Sequence, residues 1–160
     1  MSGKGAPEAS LKDIDARGLK VAIVAGTWHA EIADGLRAGA RRALETMGAT
    51  IIEIDAPGSF ELPLLSKAAL DGGADAAVAL GVIIRGGTPH FDYVADAATS
   101  GLTQVALLTG KPVGFGVLTL DDEQQGLDRA GLPGSKEDKG AEAAEAAVRA
   151  ALTVRRLRAA

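Results

Sequence analysis

The chain has 160 residues, 47% hydrophobic but only 3% aromatic, enough for one domain whose core rests on Ala, Val, Leu and Ile, and too few for two. Zero cysteines exclude disulfides and thiolate metal sites, and a net charge of −4 argues against nucleic acid as a main partner. No run of 18 apolar residues and no signal-peptide pattern precede or interrupt the first elements, so a cytoplasmic protein away from membranes is expected.

Residues 1–15 mix Gly, Pro, Ser and charge without periodicity, which suggests a flexible arm ahead of a single domain over 16–160. LKVAIVAG, 19–26, is a continuous apolar run, the pattern of a parallel strand covered on both faces. Ile32, Leu36, Ala40 and Leu44 then recur at helical spacing between His29 and Met47, with Gly48 placed to end the helix. TIIEIDAP, 50–57, is a second strand. GSFELPLLSKAALDGG follows as a turn at Gly58 and a short helix with Pro63 in its first turn.

ADAAVALGVIIR, 74–85, is the third strand, and its sequel carries the most chemistry. Gly86 and Gly87 permit a sharp turn with exposed backbone N–H groups, Thr88 suits an N-cap, and Pro89 suits the first helical position. A helix starting there, and expected to run to about Leu108, aims its positive end at an anion, most simply a phosphate, with His90 alongside. Gly101 inside this helix is a weak point. PVGFGVLTL, 112–120, is the fourth strand, Asp121, Asp122 and Glu123 open a short helix ending at Gly131, and 135–158 form a long final helix. Strand and helix alternate throughout, so the pattern predicts a doubly wound α/β sandwich with a parallel sheet.

Ligands in such sheets bind at the carboxyl ends of the strands. Trp28, Phe60, Phe91 and Tyr93 follow strands there and Phe115 lies on strand four, which suits either a flat heteroaromatic ligand or simple cover for the sheet ends. His90 is a candidate general acid/base, while His29 has no supporting neighbours in sequence and suits a surface or first-turn position. Glu61 suits either hydroxyl binding or a first-turn helix acid. Arg129 and Lys139 are either counter-charges for the anion or solvated surface cations. No metal constellation, phosphate-binding G-K-[ST] loop or dinucleotide G-x-G-x-x-G fingerprint is present.

Five segments in this order, VAIVAGTWH, PGSFELP, GVIIRGGTPHFDYV, FGVLTLDDEQQGLDRAG and EDKGAEAA, resemble the lumazine synthase family. The resemblance implies a flavodoxin-like, doubly wound three-layer sandwich around a four-stranded parallel sheet. It also implies condensation of 5-amino-6-(D-ribitylamino)uracil with 3,4-dihydroxy-2-butanone 4-phosphate to 6,7-dimethyl-8-ribityllumazine in riboflavin biosynthesis, without redox cofactor or metal. By position, Trp28 would stack on the pyrimidine, and Ser59, Phe60 and Glu61 would hold the ribityl chain. The backbone of Val82, Ile83 and Ile84 would read the pyrimidine edge. Gly87, Thr88 and Arg129 would bind phosphate with Lys139 nearby, and His90 would move protons. Phe115, Arg129 and Lys139 would enter a neighbouring subunit's site in a homopentamer, with riboflavin synthase a candidate partner. Where the family often has T-x-E-Q-A this chain has DDEQQG, so Gln124 replaces an acid and Gly126 a better helix former. The segment between Arg129 and Lys139 is longer than in shell-forming members, which favours free pentamers over a sixty-chain shell. A non-catalytic flavin or lumazine carrier, or a shell protein, on the same fold is the alternative.

Overall fold

The computed structural model describes residues 5–7 and 10–160. Of the expected arm, residues 1–4, 8 and 9 lie outside the described residues; from Ser10 onward the chain makes one 3-10 turn, Leu11–Asp13, and buries Ile14 and Ala16 against the domain. Four strands form one sheet: β1 (Lys20–Gly26), β2 (Thr50–Ala56), β3 (Ala76–Ile84) and β4 (Val113–Leu120). Their order is β2-β1-β3-β4 and every pairing is parallel. Helices α1 (Ala30–Met47) and α5 (Lys139–Ala159) cover one face, and α2 (Leu62–Asp71) and α3 (His90–Thr109) cover the other.

The two-sided burial follows from the apolar runs. Val21, Ile23 and Ala25 of β1 face α1 and α5, while Ala22 and Val24 face α2 and α3, so a strand without polar alternation serves two cores at once. The result is the three-layer α/β sandwich that the sequence pattern predicts, with flavodoxin-like strand order. With few large rings available, close backbone approach supplies packing density: a Cβ on Gly140 would overlap the carbonyl of Leu36, so glycine lets α5 touch α1. Gly48 ends α1 in the left-handed region, φ 87, as its position in the sequence suggested.

Three expected boundaries move. The helix after β3 begins at His90, with Pro89 as its N-cap and the Thr88 hydroxyl 3.5 Å from the His90 amide, too long for a firm cap. The short helix α4 (Glu123–Leu127) ends four residues before Gly131, and α5 begins at Lys139 rather than 135. Both shifts have one cause, because residues 136–139 turn back and pair with 128–131. The amides of Lys136 and Glu137 donate to the Asp128 carbonyl at 2.8 and 3.0 Å, and Lys139 donates to Arg129 at 2.9 Å. Asp138 then caps α5 by accepting from the Ala141 amide at 3.0 Å.

Gly101 does not weaken α3, which runs through it unbroken. A Cβ there would stand 2.6 Å from Cγ of Pro63, so the missing side chain is the space that the first turn of α2 occupies. Gly126 has a similar role in α4. Its Cβ would fall 2.5 Å from Cδ1 of Ile32 and 2.9 Å from Cδ1 of Leu120. The departure from the family pattern therefore sits where α4 is pressed onto α1 and β4.

Candidate active site at the carboxyl ends of the strands

Strand β1 leads into α1 on one face of the sheet and β3 leads into α3 on the other, so a crevice opens between their carboxyl ends. It is a cleft of about 620 Å³, within the range of small-molecule sites. Trp28, Ser59, Phe60, Glu61, Val82, Ile83, Ile84 and His90 all line it. These eight expected site residues come from four separate stretches of chain.

Local packing explains why they converge. The Thr27 hydroxyl donates to the Pro57 carbonyl at 3.1 Å, tying the loop after β1 to the loop after β2. Gly58 carries no side chain where a Cβ would lie 3.3 Å from the Trp28 indole, so the ring stands against the backbone of that loop. Ser59 begins a 3-10 turn, Ser59–Glu61, and is only 8% exposed because it sits over Gly81 of β3. The turn then presents Phe60 and Glu61 to the cleft. Trp28 is 68% and Phe60 64% exposed, an unusual allocation for the few rings that the chain has.

The sheet edge inside the cleft is the most informative feature. Pairing between β1 and β3 ends at Ala25 opposite Leu80, whereas β3 continues alongside β4 as far as Ile84 opposite Leu120. From Gly81 to Ile84, β3 therefore overhangs its β1 neighbour, and its alternate backbone groups on that side have no strand to pair with. Their side chains still pack: Val82 and Ile83 are 6% and 8% exposed. The polar atoms along this edge are thus main-chain groups, between buried or half-buried apolar side chains.

Beyond the overhang, Arg85 fixes the entry to α3. Its guanidinium lies 4.3 Å from the Phe91 ring centroid, 3.3 Å from Asp121 Oδ1 and 3.7 Å from Asp92 Oδ1. The start of α3, and with it His90, is held against the end of β4. Gly86, Gly87 and Thr88 form the exposed link between Arg85 and the helix. The chain bends at Gly87 and Thr88 before α3, without a left-handed φ at either Gly86 or Gly87. What remains for an anion is the helix N-terminus itself, with open space where either Cβ would stand.

Phe115, Arg129 and Lys139 do not line this cleft. Phe115 is half exposed on the edge strand β4. The Arg129 Nη1 donates to the Gln125 carbonyl at 2.8 Å, and its Nε lies 3.8 Å from Glu137. Lys139 Nζ is 3.5 Å from Glu137 and 2.8 Å from Glu142. Two cations thus meet around one carboxylate, outside the cleft of their own chain.

The family model described as 6,7-dimethyl-8-ribityllumazine synthase matches residues 18–155. The chain belongs to the lumazine synthase family. It is 71% identical over 158 residues to the 6,7-dimethyl-8-ribityllumazine synthase of Leifsonia xyli subsp. xyli and 69% identical to that of Clavibacter michiganensis subsp. michiganensis, covering 99% of both chains in each case. Against the Streptomyces coelicolor protein of the same name it is 56% identical, over 97% of this chain and 96% of that one.

Four further residues line the cleft of this lumazine synthase: His29, Gly58, Tyr93 and Val94. Tyr93 was among the rings that the sequence offered for a flat ligand, whereas His29, Gly58 and Val94 were not expected in the site. Tyr93 and Val94 lie one turn beyond His90 on α3, at the i+3 and i+4 spacing that puts them on the same helix face. His29 gave no periodic signal because it precedes α1. Among the described residues no group of three or more His, Asp or Glu is placed to hold a metal ion, and no helix is long and apolar enough to cross a membrane.

Proposed function

We propose that this chain is an enzyme of riboflavin biosynthesis that condenses 5-amino-6-(D-ribitylamino)uracil with 3,4-dihydroxy-2-butanone 4-phosphate, releasing phosphate and water. The observation that carries this reading is the cleft at the sheet's switch point, where an exposed indole, a carboxylate, an unpaired strand edge and an imidazole meet in a lumazine synthase. Trp28 stacks on the pyrimidine, and the overhanging backbone of Val82 to Ile84 pairs with its polar edge. Ser59, Phe60 and Glu61 flank the ribityl chain, with Glu61 accepting from hydroxyls.

The phosphorylated substrate lies with its dianion at the start of α3, near Gly87 and Thr88, where the orphan amides and helix dipole favour negative charge. The substrate amine is already nucleophilic and the phosphate is a built-in leaving group. Catalysis then needs positioning and one proton shuttle, which is the role of His90.

The assembly in this reading is a cytoplasmic homopentamer. Phe115, Arg129 and Lys139 lie outside their own chain's cleft, and a neighbour's copies of them complete it. Exposed Leu64, Leu107 and Leu108, each at least 70% accessible, are consistent with burial against a second copy. Light scattering is expected to give five chains of 16.2 kDa, about 81 kDa; a mass near sixty chains overturns the free pentamer. Incubation of the purified protein with both substrates is expected to form the fluorescent lumazine. Tight pyrimidine binding with no product would reduce the protein to a carrier.

A further inference from the structure

His29 is the one non-glycine residue with a left-handed backbone among the described residues, at φ 55 and ψ 66. Such a conformation is uncommon for a residue with a Cβ; histidine, asparagine and aspartate visit it more readily than most, but glycine adopts it most cheaply. Its place in the fold does not explain the choice of histidine. At the N-cap of α1 its carbonyl accepts from the Ala33 amide at 2.9 Å, which any residue would do, and its side chain makes no capping hydrogen bond. Ser, Thr, Asp or Asn would cap better. His29 is exposed and lines the cleft, so that both histidines of the chain lie at one site. Strain of this kind, kept where a cheaper residue was available, points to a use for the side chain.

The geometry points to His29 as a substrate-positioning residue that hydrogen-bonds the pyrimidine substrate beside the Trp28 ring. This rests on the reading given under Proposed function. Chain geometry selects the substrate: His29 adjoins Trp28, whose indole packs at Gly58, and a Cβ at Gly58 would also lie 3.5 Å from Glu61 Oε1. Trp28, His29 and Glu61 therefore share one end of the cleft, where the ring and hydroxyls of the pyrimidine substrate are proposed to lie. The dianion is assigned to the start of α3. An imidazole offers one donor and one acceptor to such a partner, and the left-handed backbone holds it at the cleft wall as the chain turns into α1.

Three variants test this. His29→Gly accepts the backbone conformation and removes the imidazole, His29→Asn accepts it and keeps a donor and an acceptor, and His29→Ala keeps the strain without the side chain. His29→Gly is expected to melt no lower than the parent yet to raise the KM and Kd for the pyrimidine about tenfold, the loss of one good hydrogen bond. KM for the phosphorylated ketone should stay within about twofold. Kd is read independently of turnover from quenching of Trp28, the chain's single tryptophan. His29→Asn should recover most of the pyrimidine affinity. Wild-type pyrimidine affinity in His29→Gly, or an equal rise in KM for both substrates, overturns the assignment. A parent protein that forms no lumazine overturns the underlying function instead. If His29→Gly fails to fold, pyrimidine affinity in folded His29→Asn no better than in His29→Ala overturns it as well.

Discussion

Replacing Gly81 by alanine joins the packing of the sheet to the shape of the cleft. The added Cβ would overlap the Ser59 hydroxyl, stand 3.1 Å from Leu62 Cδ1 and lie 3.4 Å from Ser59 Cβ. Ser59 is 8% exposed and Leu62 fully buried, so neither has free space to move into. Overpacking of this kind costs about 1–3 kcal/mol, and about 0.5–1 kcal/mol returns because glycine in a strand interior is unfavourable. The remainder, on the order of 0.5–2 kcal/mol, corresponds to a melting temperature lower by roughly 1–8 °C for a chain of this size. The functional loss should be larger than the thermal one. Relief comes most readily by lifting the Ser59–Glu61 turn, which carries Phe60 and Glu61 with it, and misplacement by about 1 Å can cost on the order of 10²-fold in turnover. Thermal melts read the first effect, and steady-state kinetics with Trp28 quenching read the second. Adding Ser59→Gly to Gly81→Ala removes the overlap with Ser59 and leaves only the 3.1 Å contact with Leu62 Cδ1, so the melting temperature should return most of the way to that of Ser59→Gly alone. A Gly81→Ala protein that melts and binds pyrimidine as the parent does would refute the reasoning.

His90→Ala should slow turnover by about 10²–10⁴-fold while leaving the melting curve in place, since the side chain is exposed; a loss below about tenfold demotes it to a helper. Arg129→Ala should raise KM for the phosphorylated ketone far more than for the pyrimidine, because only the former carries a dianion, and equal losses would show the residue to be misassigned. Ser66 is fully buried in α2 and its hydroxyl has no hydrogen-bond partner among the described residues. Ser66→Ala removes that unpaired group and should stabilise by about 1–3 kcal/mol, a rise of roughly 2–4 °C per kcal/mol; an unchanged or lower melting temperature contradicts it.

The sheet was legible because its strands are continuous apolar runs, so 19–26 and 74–85 declare burial on both faces without any knowledge of their neighbours. Most of the site was legible for a related reason. In this architecture whatever follows a strand at its carboxyl end falls near the crevice there, so chain position alone pointed to Trp28, Glu61 and His90 as residues of the cleft lining. The loop from Asp128 to Asp138 was not, because its form depends on pairing between residues about ten apart. Ser135 with Asp138 three residues later imitates a helix-capping signature. Its hydroxyl instead donates to the Leu127 carbonyl and accepts from the Leu132 amide. His29 was hidden differently. No pattern of residue types announces a left-handed φ at a histidine, and only the backbone itself reveals it. The glycines at 101 and 126 looked like flaws in local propensity, yet each marks a place where another element presses in.

The projecting end of β3 has a consequence for how selectivity can change in this protein. Every amino acid except proline offers the same amide and carbonyl, so exchanging Val82, Ile83 or Ile84 among aliphatic residues reshapes the wall without altering the hydrogen-bonding script presented to a heterocycle. Under the proposed binding mode, aliphatic exchange at these three positions keeps that main-chain pattern, so a new base preference is not acquired there one side chain at a time. A variant enzyme for a different heterocycle would have to slide the strand, insert a proline, or recruit the surrounding loops.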